Sequence, residues 1–330
     1  MESDLQRLGS LDRNGTLVMT TVLLPDLTSA KRANAGREVL TFRHRLDETG
    51  LFSDAALARL IDETPRDKIT IRTRGRRTAE SWISGEAGHL GGADLVAAAR
   101  KGHLWIEMPA VQNIRYARVF DRLMDEFGHA LGLRLLEADA QVVIASPNMD
   151  AVFRVDTVET MALHVRGQEV LQVHAPTAPQ LHEQRLEAIL REEAPADLPA
   201  DQNLSSGATP ILLRAGEAAW WPLHSPHRSV SGDDLNVWMA VNFVSTKTRR
   251  ANGVVYASGF LRRVLGLQDN LRLSPKLLLP LYLVVGKLLK RLPRRSIARP
   301  SPLTRFEVDL RAPGCIRWRR RVDEHVRRAA

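Results

Sequence analysis

The chain has 330 residues, 44% of them hydrophobic and 26% charged, with 47 Lys and Arg against 38 Asp and Glu for a formal charge of +9. That apolar fraction supports a packed core and excludes a wholly disordered chain, while a lone cysteine, Cys315, excludes an intrachain disulfide and a cysteine-based zinc site. The charge is uneven, because residues 271–330 carry 16 basic and 4 acidic side chains, which leaves the preceding 270 residues at a net −3 and argues against a uniformly basic nucleic-acid-binding fold.

The length exceeds the roughly 250–300 residues at which one core stops growing, so one decorated domain or two smaller ones are expected. The acidic start, Met1-Glu2-Ser3-Asp4, lacks the apolar stretch of a secretory signal. The longest apolar run, residues 277–286, has 10 residues and falls short of the ~20 that span a bilayer. The expectation is a soluble, cytoplasmic protein.

In chain order, residues 16–24 are rich in β-branched side chains and read as a strand. Ser53 and Asp54 precede an apolar-periodic stretch through Leu57, Leu60 and Ile61, a capped helix ending before Pro65. Residues 69–77 alternate as a strand whose Arg72, Arg74, Arg76 and Arg77 cluster reads as a solvated face in preference to a phosphate contact, and residues 104–106 form another short strand. Tyr116, Val119, Phe120, Leu123, Met124, Phe127 and Leu131 then recur at helical spacing up to Gly132, which predicts a core-packing amphipathic helix.

From about residue 140 the texture becomes short β segments at 141–145, 160–165, 170–173, 211–214, 218–222 and 237–243, with a charged helix at 181–193. Strands at this spacing predict a sandwich or barrel of the jelly-roll type. Trp220 and Trp221 fall on opposite faces of one strand, so one packs inside the roll and the other under a helix or interface. His174 is read as structural and His224 as an exposed turn residue. Residues 251–330 return to helical and irregular character, broken by five prolines from Pro280 to Pro313.

Two stretches carry a resemblance. Asp156 is followed eleven residues on by Gly167 in His164-Val165-Arg166-Gly167-Gln168-Glu169, and Pro222 is followed five residues on by His227 before a strand through Val241, Asn242 and Phe243. This pattern resembles the jumonji-C/cupin-like Fe(II)- and 2-oxoglutarate-dependent oxygenases, in which His-x-Asp and a later His hold the metal. The resemblance implies a mainly β fold with α decoration: a double-stranded β-helix at 136–250, helical and mixed decoration at 1–135 and a basic helical tail at 251–330. It implies Fe(II) and 2-oxoglutarate as cofactors if the protein is active, with Asp156 and His227 as metal ligands.

Two positions depart from the family pattern. Arg154 stands where the first histidine belongs, and a guanidinium stays protonated and has no lone pair for a metal; a charge-assisted hydrogen bond to Asp156 is the expected outcome. Glu169 stands where the family often has a Lys that pairs with the far carboxylate of 2-oxoglutarate. His164 shares strand parity with Thr160 and Ala162 and is a candidate replacement ligand, or else a hydrogen-bonded interior histidine. Thr160 and Arg228 are the candidates for holding a co-substrate carboxylate.

Three readings follow: a degenerate oxygenase-like protein with a binding or scaffold role and no cofactor; an active hydroxylase of a peptide, sugar or small metabolite, completed by a ligand such as His164; and an adaptor acting through its basic tail. Cations flank the apolar run 277–286 from Lys276 to Arg295. That segment suits a helix packing on the roll or on a second subunit as a homodimer, an anionic membrane surface reached from the cytoplasm, or, more weakly, an acidic partner or nucleic acid.

Overall fold

Two sheets face each other in the computed structural model, which describes residues 22–74, 82–176, 181–198, 204, 206–265 and 304–319, the pairs 10–11 and 17–18, and positions 280 and 284. One sheet carries β7 (Leu135–Ala145), β13 (Asn236–Ser245), β8 (Glu159–Arg166) and β11 (Glu217–Trp220) side by side, all antiparallel. The other carries β10 (Thr209–Arg214), β9 (Gln168–Val173) and β12 (His227–Ser231). Residues 150–154 complete this second sheet along β12, through the bridges Asp150 to Val230 and Arg154 to His227. Two four-membered sheets connected in this order make a jelly roll.

β8 shows why the strand pattern was readable only in part. All its residues but Arg166 are buried, because both faces are covered; such a strand loses the polar–apolar alternation of a half-exposed one. Met161, Leu163 and Val165 join the outer core, and Ala162 joins the core inside the roll. The outer core is closed by three helices, α1 (Asp54–Glu63), α2 (Gly92–Lys101) and α3 (Ile114–Leu131). Ser53 caps α1 by accepting from the Ala56 N–H, and α3 buries the whole predicted stripe before Gly132 ends it at φ +61°. Trp220 packs edge-on against Phe127 of α3, centroids 5.4 Å apart, while Trp221 points into the roll. Two further helices are α4 (Glu183–Leu190) and α5 (Thr246–Leu265).

The large sheet does not stop at the roll. β3 (Leu40–Arg43) pairs with β11, and β6 (Trp105–Pro109) pairs with β7, followed outward by β4 (Thr70–Arg74), β5 (Trp82–Glu86), β14 (Phe306–Val308) and β15 (Ile316–Trp318). The resulting ten-stranded sheet draws strands from all three segments of the chain. Residues 304–319, read from the sequence as helical or irregular tail, are instead this terminal hairpin. Its strands have three residues each, too short for a periodic signal, and the parallel partner of β14 lies more than 200 residues earlier. Within 16–24, Leu17–Val18 pair with Ser10–Leu11 as a two-residue ribbon, β2 with β1, while the Leu23 and Leu24 N–H groups donate to Glu126 Oε2 on α3.

The apolar run 277–286 and its basic flanks, apart from Pro280 and Val284, lie outside the described residues, as do 320–330. No described helix is long and apolar enough to cross a membrane.

Gly85 fixes the hairpin. A Cβ there would stand 2.2 Å from the Phe306 ring, which is fully buried. Gly85→Ala is therefore expected to cost about 1–3 kcal/mol through overpacking, read as a lower urea midpoint. An unchanged midpoint would show that Phe306 can leave this slot freely.

Candidate functional site

The roll encloses a cavity of about 570 Å³. Strand periodicity decides its lining, since alternate side chains share a face. Gln141 and Val143 come from β7, Thr160 and Ala162 from β8, and Trp238, Ala240 and Asn242 from β13. The extension supplies Arg72, Trp82, Trp105 and Glu107, and the facing sheet supplies Arg154, His227, Arg228 and Ser229.

Asp156 lies at the centre of an ionic cluster. Arg154 Nη2 is 2.8 Å from Asp156 Oδ1, and His227 Nε2 is 3.3 Å from Oδ2. The Thr160 hydroxyl donates to the same Oδ2 at 3.0 Å and also lies 3.1 Å from Asn242 Oδ1. The backbone holds the two basic residues together: the Arg154 N–H donates to the His227 carbonyl at 2.9 Å, and the His227 N–H to the Arg154 carbonyl at 3.0 Å. His227 Nδ1 lies 3.0 Å from the Ser225 carbonyl, and its ring packs on Trp221 with centroids 4.6 Å apart.

Burial alone would raise the Asp156 carboxyl, but Arg154, His227 and the Thr160 hydroxyl outweigh it and hold the group well below the usual carboxylate range. Asp156 in turn holds Arg154 more firmly protonated.

The sign of the pH effect follows from that depressed carboxyl. In acid the unfolded chain binds the proton first, so the stabilisation is complete above about pH 4 and is lost as pH falls below it towards the folded value. The stability difference between the parent and Asp156→Asn, measured by urea unfolding, is expected to be constant from pH 7 to 5 and to shrink below pH 4. A gap that does not change in acid would remove Asp156 from this role.

His164 does not join the cluster. It faces inward, as its parity predicts, but it lies beneath Trp238, ring centroids 6.2 Å apart and nearly parallel, with no exposed surface. Four residues of strand separate it from Thr160, about 13 Å at ~3.3 Å per residue. Its partner is the other departure from the family pattern: His164 Nδ1 is 3.6 Å from Glu169 Oε1, and both side chains are fully buried. Parity gives the face of a strand and not the depth along the roll, which is why His164 fails as a replacement ligand.

Arg228 lines the cavity yet is held by Asp150 at 2.9 Å and Gln172 at 2.7 Å, with its guanidinium 4.8 Å above the Phe153 ring. His224, expected to be exposed, is pinned instead to α5, Nε2 lying 2.7 Å from Asn252 Oδ1; His174 is buried against the Leu204 carbonyl.

Arg72 corrects the reading of β4 as a solvated basic strand. It lines the cavity and meets Glu107 at 3.8 Å, because pairing with β6 brings β4 into the sheet whose inner face forms the cavity wall. Trp82, Trp105, Glu107, Gln141, Trp238 and Asn242 were not singled out from the sequence. Their only signal is alternate spacing on strands, which does not say which face closes on what.

The residues present do not fit iron and 2-oxoglutarate. Asp156 Oδ2 and His227 Nε2 stand 3.3 Å apart, close to the ~3 Å of two ligands set at right angles about 2.1 Å from one ion. The third position, however, holds the guanidinium of Arg154, a donor only. Among the described residues no group of three His, Cys, Asp or Glu side chains converges. Glu169, where the resemblance would place a co-substrate lysine, is a buried carboxylate that does not line the cavity.

No family model and no curated protein matches this chain. Among solved structures, Escherichia coli YcfD shares 16% identity with a TM-score of 0.47, over 83% of this chain and 70% of that one. A second YcfD structure, described as a ribosomal oxygenase from Escherichia coli, gives 13% identity and 0.43 over 85% of this chain and 64% of that one. A third, in complex with cobalt and 2-oxoglutarate, gives 16% and 0.42 over 78% and 64%. The chain spans about two thirds of the length of these structures. The fold itself is given by the strand order, that of a double-stranded β-helix or jelly roll.

Proposed function

We propose that this chain is an oxygenase-like jelly roll that binds a small molecule in its cavity without iron or 2-oxoglutarate chemistry. The observation that carries this reading is the Arg154–Asp156 contact at 2.8 Å. A guanidinium supplies there the positive charge that a metal would otherwise bring to Asp156, and it uses one of the two carboxylate oxygens. Deeper in the roll, His164 Nδ1 and Glu169 Oε1 lie 3.6 Å apart, with no hydrogen bond between them. The Asp156 carboxylate is balanced by Arg154, so no metal is needed to neutralise it.

In this reading Arg154, Asp156 and His227 form a fixed polar wall, and Trp221 and Trp238 limit the depth to which a ligand descends. The test is anaerobic titration of the purified full-length chain with Fe(II), followed by 2-oxoglutarate and dioxygen. The expected result is no stoichiometric iron and no succinate. One iron per chain with succinate release would overturn the proposal and return the protein to the active hydroxylases.

A further inference from the structure

We infer that the ligand of this cavity is a neutral, hydroxyl-bearing ring, a mono- or disaccharide, an inference that rests on the reading of the roll as a metal-free binding module. Its volume, about 570 Å³, lies within the ~300–1,000 Å³ of small-molecule sites. The argument comes from which polar groups are already satisfied and which are not.

The cations of the wall each have an acidic partner. Arg72 faces Glu107 at 3.8 Å, Arg154 faces Asp156 at 2.8 Å, and Arg228 faces Asp150 at 2.9 Å. A charged ligand would have to open one of these pairs, which is costly where the half left behind is largely buried, as Asp156 and Glu107 are. A hydroxyl group asks for neither loss. It accepts from a guanidinium while donating to the neighbouring carboxylate, and each pair presents both roles side by side.

The unused hydrogen-bonding capacity is also neutral. The Gln141 amide, the Asn242 Nδ2 and the Ser229 hydroxyl line the cavity and make no side-chain hydrogen bond to another described residue. Beside them stands an aromatic wall: Trp82, Trp105 and Trp238 follow one another with centroids 5.1 and 4.9 Å apart, and Trp221 lies on the cavity too. Indole faces suit the C–H face of a sugar ring, and amides, hydroxyls and matched ion pairs suit its hydroxyl edge.

The experiment is titration of the full-length chain, followed by tryptophan fluorescence, with methyl glucoside, galactose, N-acetylglucosamine, maltose and lactose, and in parallel with adenosine and succinate. The expected result is saturable binding of at least one saccharide, unaffected by raising salt. Gln141→Ala and Ser229→Ala are each expected to weaken it about fivefold at unchanged thermal stability, since neither side chain makes a hydrogen bond to another described residue. Binding of succinate or adenosine without any saccharide overturns the inference, as does failure of every saccharide in the set. Stoichiometric iron uptake would instead remove the reading beneath it, so the two failures are told apart.

Discussion

Arg154→His is expected to bind one cobalt(II) or iron(II) ion per chain, at least about a hundredfold more tightly than the parent. Asp156 Oδ2 and His227 Nε2 already stand 3.3 Å apart, the spacing that two ligands of one ion would have. Position 154 is tied to His227 by two reciprocal backbone hydrogen bonds, so a side chain there starts beside the other ligands. The substitution makes two changes at once. It replaces a group with no lone pair by an imidazole, and it releases Asp156 Oδ1 from its 2.8 Å contact. Anaerobic calorimetry with metal analysis measures the gain. Arg154→Ala is the control, because it frees Asp156 but adds no ligand and is expected to stay near the parent. An equal gain in both variants would place the third ligand elsewhere. No gain in Arg154→His would mean that Asp156 and His227 are not aimed at a common point.

Glu169→Lys is expected to destabilise the fold by about 3–5 kcal/mol and to lower the thermal midpoint by about 10 °C. The family pattern suggests the opposite, since a Lys there would restore a co-substrate contact. The structure decides against restoration: Glu169 is fully buried and faces His164, whose ring stacks on Trp238. A lysine would bury an ammonium group against an imidazole, with the compensating carboxylate gone. Glu169→Gln keeps the shape and loses only the charge, so its midpoint should fall less. A Glu169→Lys protein as stable as the parent, and able to bind 2-oxoglutarate, would show that position 169 opens onto the cavity.

How much of this was legible in the chain differs from one element to the next. The helix from Ile114 to Leu131 was fully readable, because its apolar stripe and terminal glycine are local signals. The opposite directions of Trp220 and Trp221 were equally local, since neighbouring residues on a strand face opposite sides. The Arg154–Asp156 pair was readable from two residues in one short segment. Arg72 was not, because its alternation fits a solvated face as well as a cavity wall, and only the partner strand distinguishes them. His164 marks the same limit along another axis.

What the sequence determined by itself was therefore the roll, from strands at jelly-roll spacing, and the pairing of Arg154 with Asp156. Its +9 charge was likewise divisible into a nearly neutral body and a basic end. What only the tertiary structure decided was which groups meet. Strands drawn from residues 40–109 and 306–318 join one sheet with the roll, and with them come Arg72, Trp82, Trp105 and Glu107 on the cavity wall. The physical reason is that periodicity is written into neighbouring residues, whereas depth, closure and ion pairing depend on hydrogen bonds between strands far apart in the chain.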